Sequence, residues 1–320
     1  MEPNTVKPIT GTWFEFRHDS IAEGKYWNTA CYNFSEMQWR EKISEISAAG
    51  MEYFVLMASA IEEQAYYPSA VFPPAGLACE NPLEVLLSQA DQCGLKVFMS
   101  NGFCGDWHNA RRNISDKAVI NRSLRAMNEL AEQFGHHQSF YGWYMPDETC
   151  IIRHFGKKFI RYVNLCCEEG CRLLPNSKTL IAPYGTSLAK VDDKYVKQLE
   201  SMAVNFIAYQ DEVGVKKTTP EKSAGHFEKL KAAHDKAGRN ALWADIELFD
   251  FEGLVYRSAL IPAEFARIQK QLAAVSPYAE KVLCYQYQGM MNKPGSTAFA
   301  GHPGSEKLYL DYMGWVAQNC

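Results

Sequence analysis

No stretch of about 18 apolar residues occurs in the 320-residue chain, so no membrane insertion is expected. Residues Met1 to Pro8 lack the apolar centre of a secretory signal, yet an extended segment of this kind suits the mature start of an exported chain. A periplasmic or secreted location is expected if a leader has been removed, and a cytoplasmic one otherwise. A long basic block is missing too, and the formal charge is -4, so a polynucleotide partner is not expected. Ten cysteines are present, but none stands in a Cys-x-x-Cys pair, and their density is far below that of a small disulfide scaffold. Mostly free thiols are expected. The group Cys166, Cys167 and Cys171 lies in an amphipathic helical pattern, where cysteine behaves as a small buried hydrophobe.

Several barrel and hydrolase chemistries are excluded by what is missing. The segment Thr12 to His18 has no His-x-His pair for a metal-dependent hydrolase. His136 and His137 precede the fourth strand, at the structural end, where a solvated turn is expected. No lysine stands in Asn205 to Gln210 to form a Schiff base, and no G-x-S-x-G elbow or late glycine-rich phosphate cradle occurs. Neither an organic cofactor nor a catalytic metal is expected.

What is present is a repeating order. Short apolar runs, each followed by a helical pattern, recur eight times: Ile9 to Phe16, Tyr53 to Ser59, Lys96 to Asn101, Phe140 to Pro146, Thr179 to Tyr184, Asn205 to Gln210, Ala241 to Ile246 and Lys281 to Tyr287. Ser35 and Gln38 form a capping box ahead of Trp39, Ile43 and Ile46, with Gly50 as the stop. Asn81 and Pro82 open a second helix that Gly94 closes. Further helices are expected over Asp116 to Phe134, Phe155 to Leu174, Asp192 to Met202, Pro220 to Lys236, Pro262 to Ala274 and Ser305 to Val316. Strand and helix in alternation predict a parallel sheet, and eight repeats in a chain with no linker predict one α/β domain over residues 1–320, a (β/α)8 TIM barrel with residues 1–8 as an extended tail. Loops after strands, such as Ala60 to Glu80 and Gln288 to Gly304, are longer than the turns after helices. The elaborated carboxyl face is therefore where an active site belongs.

Carboxylates gather at that face: Asp147 and Glu148 after the fourth strand, Asp211 and Glu212 after the sixth, Asp245 and Glu247 on the seventh. Alternation puts Asp245 and Glu247 on one face, and Tyr144 and Glu148 on another if the strand continues through Pro146. Two carboxyls facing one site suit glycosidic cleavage, since one protonates the leaving oxygen while the other attacks the sugar carbon or activates water. Glu148 is the expected acid/base, raised by the aromatic neighbours Trp143 and Tyr144, and Glu247 the ionised nucleophile. A separation of about 5.5 Å would give retention and roughly 6.5–9.5 Å inversion. Gln210 and Asp211 are candidates for binding sugar hydroxyls or orienting a glutamate, or for capping a turn before Gly214. Asp147, Asp245, Glu15 and Asn101 are further candidates for substrate contacts. Aromatic residues Tyr26, Trp27, Tyr66, Tyr67, Trp107, Trp143, Tyr285 and Tyr287 crowd the same loops, where flat rings can meet the CH faces of sugars or simply pack.

These segments resemble glycoside-hydrolase-like (β/α) barrels of polysaccharide-degrading bacteria, in a family grouped as a domain of unknown function. Gly142 to Glu148 is similar to that family's fourth-strand motif, Tyr209 to Gly214 to its Gln-Asp-x-x-Gly element, and Leu242 to Phe249 to its Trp-x-x-x-Glu-x-Phe pattern. The resemblance implies carbohydrate metabolism, an acid/base at Glu148 and a nucleophile at Glu247, with an oligosaccharide or glycoside as substrate. Glu212 stands where relatives often carry glycine, which could crowd or recharge the cleft. A non-catalytic carbohydrate-binding barrel, or a barrel lyase or isomerase, is the alternative on the same fold. A monomer or weak homo-oligomer is expected.

Overall fold

Eight parallel strands close into a barrel in the computed structural model, which describes residues 6–319. They are β1 (Gly11–Phe14), β2 (Tyr53–Leu56), β3 (Lys96–Ser100), β4 (Phe140–Tyr144), β5 (Lys178–Ile181), β6 (Phe206–Gln210), β7 (Ala241–Glu247) and β8 (Val282–Tyr285). Each pairs with its sequence neighbours, and β8 returns to β1 through Gly11 beside Leu283. This is the (β/α)8 barrel that the alternation predicts. Most predicted strands overran the ladder at their carboxyl ends, because there the backbones splay apart to form the mouth. Gly142 is required where β4 meets β5, since a Cβ there would lie 2.3 Å from the Lys178 carbonyl oxygen.

Among the described residues eight longer helices follow the strands, besides two short ones, Asn28–Asn33 and Ala110–Asn113: α1 (Glu36–Ala48), α2 (Pro82–Cys93), α3 (Lys117–Phe134), α4 (Lys157–Leu173), α5 (Asp193–Ser201), α6 (Pro220–Ala237), α7 (Phe265–Val275) and α8 (Ser305–Asn319). Their ends follow the expected chemistry. Ser35 and Gln38 make the reciprocal capping box of α1, and Asn81 caps α2 ahead of Pro82. Gly94 ends α2 at φ 68°, in the left-handed region that a residue with a Cβ resists.

The loops after β2 and β7 carry two small antiparallel hairpins that the periodicity did not reveal, Ala60–Ile61 with Gln64–Ala65 and Phe249–Phe251 with Leu260–Pro262. Strands of two or three residues are too short to show a period. Among the described residues no helix is long and apolar enough to cross a membrane. Residues 1–5 of the expected tail lie outside the described residues, while Lys7 donates its backbone N–H to Ser276 Oγ at 2.9 Å.

Aromatic rings fill the barrel. Trp13, Tyr53, Phe98, Tyr144 and Trp243 point inward with Leu180, Ala208 and Leu283. Trp243 stacks on Phe206 at 4.3 Å and meets Tyr53 edge-on at 5.0 Å. Several aromatics expected at the cleft are instead buried outside the barrel wall, among them Tyr66, Tyr67 and Tyr287, while Trp27 is buried beside Glu15. Trp143 lies beneath α4 against Gly170, where a Cβ would be 2.6 Å from the indole. Cys166 and Cys167 are buried in α4 as small hydrophobes, with Cys171 exposed. The expectation of a solvated turn fails for His137, which is buried with Nδ1 2.6 Å from Asp91; His136 is exposed.

Candidate active site

The inward positions of each strand, carried past the end of the ladder, define the mouth. Continuing by two from Val55, Ala182, Ala208 and Leu283 reaches Met57, Tyr184, Gln210 and Tyr285. From Tyr144 the same count leads to Pro146 and Glu148, and from Trp243 to Asp245 and Glu247. All of these border two adjoining hollows of about 520 Å³ each. Glu148 faces one and Glu247 the other, and Glu23, Met57, Tyr184, Tyr256 and Tyr285 line both.

Glu148 is half-buried. Its Oε1 accepts a short hydrogen bond from the Tyr144 hydroxyl, and its Oε2 accepts from Gln210 Nε2 at 2.7 Å. Burial pushes its carboxyl up to about 8, against the opposing pull of those two bonds. The expected contribution of Trp143 is absent, because that ring is on the outward face. Glu247 is buried, with Oε2 accepting the Val215 N–H at 2.8 Å. Burial, then the charge of Asp211, lifts it to about 8 as well. The expectation of an ionised Glu247 therefore needs correction, since at neutral pH the free protein favours a proton on each carboxyl. Asp245, one inward position below on β7, is held well above the carboxylate range by burial first and then by Glu247, Asp211 and Glu148. Among the described residues no cation forms an ion pair with any of the three.

Three sequence candidates sit behind the wall, and a fourth, Glu15, is inward but covered. Asp211 follows the inward Gln210, so it points outward, where Gln271 on α7 donates to it at 2.6 Å. It also accepts the backbone N–H groups of Val213 and Glu247 at 3.2 Å, so it caps a turn and braces the Glu247 backbone. Asp147, next to the inward Glu148, is buried against Asn113 Nδ2 at 2.8 Å. Asn101 follows the inward Ser100 and donates to Ser123 on α3 and Tyr162 on α4 at 2.8 and 3.2 Å. Glu15 accepts from Trp27 Nε1 at 3.0 Å and Gln286 Nε2 at 2.7 Å, and lies 3.1 Å from His18 Nδ1. The candidates Trp107 and Tyr285 do border the hollows, and Tyr144 stands beneath Glu148 with its hydroxyl bonded to it.

His18, Glu23, Tyr184, Tyr256, Arg111 and Lys217 also line the mouth and were not singled out in the sequence. Burial alone would lower the His18 imidazole; Glu15 beside it prevails and lifts it to about 10, so His18 is a cation at the cleft wall. Lys217 holds its ammonium 5.4 Å from the Tyr184 ring centre and 5.7 Å from that of Tyr256. Tyr184 could have been found from its parity with Leu180 and Ala182, whereas the loop residues leave no periodic trace.

Glu212 does not line the hollows, though its charge is among the causes that raise Glu247. Its carboxylate accepts from Gly185 N at 2.8 Å, Ser187 N at 3.0 Å and Ser187 Oγ at 2.7 Å, fastening the loop after β5. Its backbone φ of 56° accounts for glycine as the alternative at this position. Among the described residues no group of three or more His, Cys, Asp or Glu is placed to hold a metal ion.

The family model described as Domain of unknown function (DUF4434) matches residues 9–298. Among curated proteins none matches the sequence. A solved structure from Bacteroides thetaiotaomicron VPI-5482, provisionally named an alpha-L-fucosidase, is similar with a TM-score of 0.74 at 18% identity, covering 98% of this chain and 94% of that one. A beta-galactosidase from the psychrophilic Marinomonas ef1 is similar with a TM-score of 0.62 at 12% identity, over 98% of this chain and 59% of its own. An endo-1,4-beta-mannanase from Rhizomucor miehei is similar with a TM-score of 0.55 at 8% identity, over 97% and 95%. The chain thus spans most of the first and third but under two thirds of the galactosidase. At these identities the likeness is one of fold.

Proposed function

The chain belongs to the DUF4434 family, and from that membership and the carboxyls at the mouth we propose that it is a glycosidase cleaving an O-glycosidic bond of an oligosaccharide or glycoside. One observation carries the reading: Glu148 and Glu247, 99 residues apart in sequence, both take inward positions and border adjoining hollows with a common wall. That arrangement supports reading one as proton donor and the other as nucleophile toward a bond laid across the mouth.

Glu148, kept protonated by its burial, gives its proton to the leaving oxygen as the bond lengthens. Gln210 and Tyr144 hold both of its oxygens and stabilise the carboxylate that results. Glu247, ionised in the productive form, attacks the anomeric carbon, and the Val215 N–H fixes one of its oxygens. Glu148 then removes a proton from the incoming water, whose oxygen bonds the anomeric carbon as the bond to Glu247 breaks and releases its carboxylate. Relatives of the fold with glycosidase names support the reading by analogy alone.

The test is hydrolysis of a 4-nitrophenyl glycoside panel by wild type, Glu148→Gln and Glu247→Gln, with folding checked by circular dichroism. Each variant is expected to lose about 10³-fold or more in kcat/KM. Added azide should restore turnover of Glu247→Ala with a glycosyl azide as product. Hydrolysis indifferent to both substitutions overturns the assignment, and saccharide binding without turnover by wild type favours a binding protein.

A further inference from the structure

The two hollows are not equivalent. Glu247, Asp245 and Gln210 border one, and Glu148, Trp107 and Arg111 the other. On the glycosidase reading this asymmetry has a direction. The acid must stand beside the departing oxygen and the nucleophile beside the anomeric carbon, so the glycone lies on the Glu247 side and the leaving group on the Glu148 side.

Asp245 is the unusual group on the glycone side. It is 2% exposed, it borders the hollow, and its Oδ1 has no hydrogen-bond partner. A buried oxygen left unpaired is destabilising, and a bound donor that reaches it removes that cost. The mechanism above gives this carboxyl no task, since protonation and attack belong to the two glutamates.

We infer that the hollow floored by Asp245 is the glycone subsite, and that Asp245 selects the glycone by hydrogen bonding one of its hydroxyls. The inference rests on the glycosidase reading for the polarity of the cleft, and on the unpaired oxygen for the residue. Two further features specify the ligand chemistry. Burial, then the neighbouring carboxyls Glu247, Asp211 and Glu148, raises the Asp245 pKa and so favours its neutral form, and a neutral carboxyl can both donate to and accept from a hydroxyl. The Lys217 ammonium at the rim of the same hollow repels a sugar bearing an ammonium group. A hydroxyl-rich neutral glycone fits both.

The experiment compares wild type, Asp245→Asn and Asp245→Ala on the best 4-nitrophenyl glycoside of the panel and on its monodeoxy analogues. Asp245→Ala is expected to lose about 100-fold or more in kcat/KM on the parent glycoside, and under about tenfold on the one analogue that lacks the contacted hydroxyl. Asp245→Asn preserves shape and is expected to keep the thermal midpoint. A purely structural role would lower all substrates alike, so a uniform loss across the deoxy series overturns the inference, as does wild-type behaviour of both variants. The glycosidase reading fails separately, through activity that survives Glu148→Gln and Glu247→Gln. If wild type cleaves no glycoside, calorimetric titration with free monosaccharides replaces kinetics. Binding abolished by Asp245→Asn then sustains the subsite, and binding unchanged by it overturns it.

Discussion

Gln210 Nε2 lies 2.7 Å from Glu148 Oε2, so a side chain from the end of β6 holds the carboxyl supplied after β4. That hydrogen bond favours the ionised form of Glu148 and lowers its pKa from where burial alone would put it. Replacing Gln210 with Leu should therefore move the alkaline limb of the kcat/KM profile to higher pH. A fall in kcat of about tenfold, equivalent to ~1.4 kcal/mol, is expected as the acid becomes harder to ionise and less well aimed. An unmoved limb in stopped-rate assays from pH 6 to 10 would show that Gln210 does not act on the acid.

Both Glu148 and Glu247 are raised to about 8, so both titrate across the mildly alkaline range. The productive form needs one proton on Glu148 and none on Glu247. It is scarce at low pH, where both are protonated, and scarce at high pH, where neither is. Activity should therefore peak near pH 8 and fall on both sides, and an optimum near pH 5 in a kcat/KM profile would contradict these shifts.

The same shift acts on stability, with a definite sign. Glu148 keeps its proton in the folded chain up to about 8 but loses it in the unfolded chain near its ordinary value. Its contribution is fully present below the unfolded pKa and is lost as pH rises through the folded one. Glu148→Gln removes that dependence. Its thermal midpoint should match wild type near pH 5 and exceed it by roughly 2–4 °C near pH 9, read by scanning calorimetry.

Glu212 combines a left-handed backbone with three hydrogen bonds into the loop after β5. Glu212→Ala loses the bonds and keeps the backbone cost, whereas Glu212→Gly loses the bonds but relieves about 1 kcal/mol of it. The urea midpoints should therefore fall in the order wild type, Glu212→Gly, Glu212→Ala, with the last about 2–3 kcal/mol below the first. A glycine variant more stable than wild type would mean the hydrogen bonds contribute little.

The barrel was legible because eight apolar runs, each leading into a capped helix, leave a parallel sheet as the arrangement that buries them. Helix ends read well for a local reason: the Ser35 and Gln38 capping box and the Asn81 cap are decided within four residues. Within the site, a period of two was the decisive signal, and it was applied to too few positions. It separates Gln210 from Asp211, Glu148 from Asp147 and Ser100 from Asn101. Counted on, it also reaches Met57 and Tyr184. His18, Arg111, Tyr256 and Lys217 stand on loops whose course depends on what they pack against, and no count along the chain recovers them. The raised pKa of Glu247 was likewise hidden, since it depends on burial first and then on Asp211 arriving from another strand.

The aromatic filling of the barrel gives the protein a built-in optical reporter. Trp243 occupies the layer beneath Asp245 on β7, and Trp13 meets edge-on, at 6.0 Å between ring centres, the Tyr144 ring whose hydroxyl holds Glu148. Two indoles thus sit close to buried carboxyls at the mouth, whose fields they would report. Their emission would follow a sugar's arrival, or a single proton's departure, without any label attached.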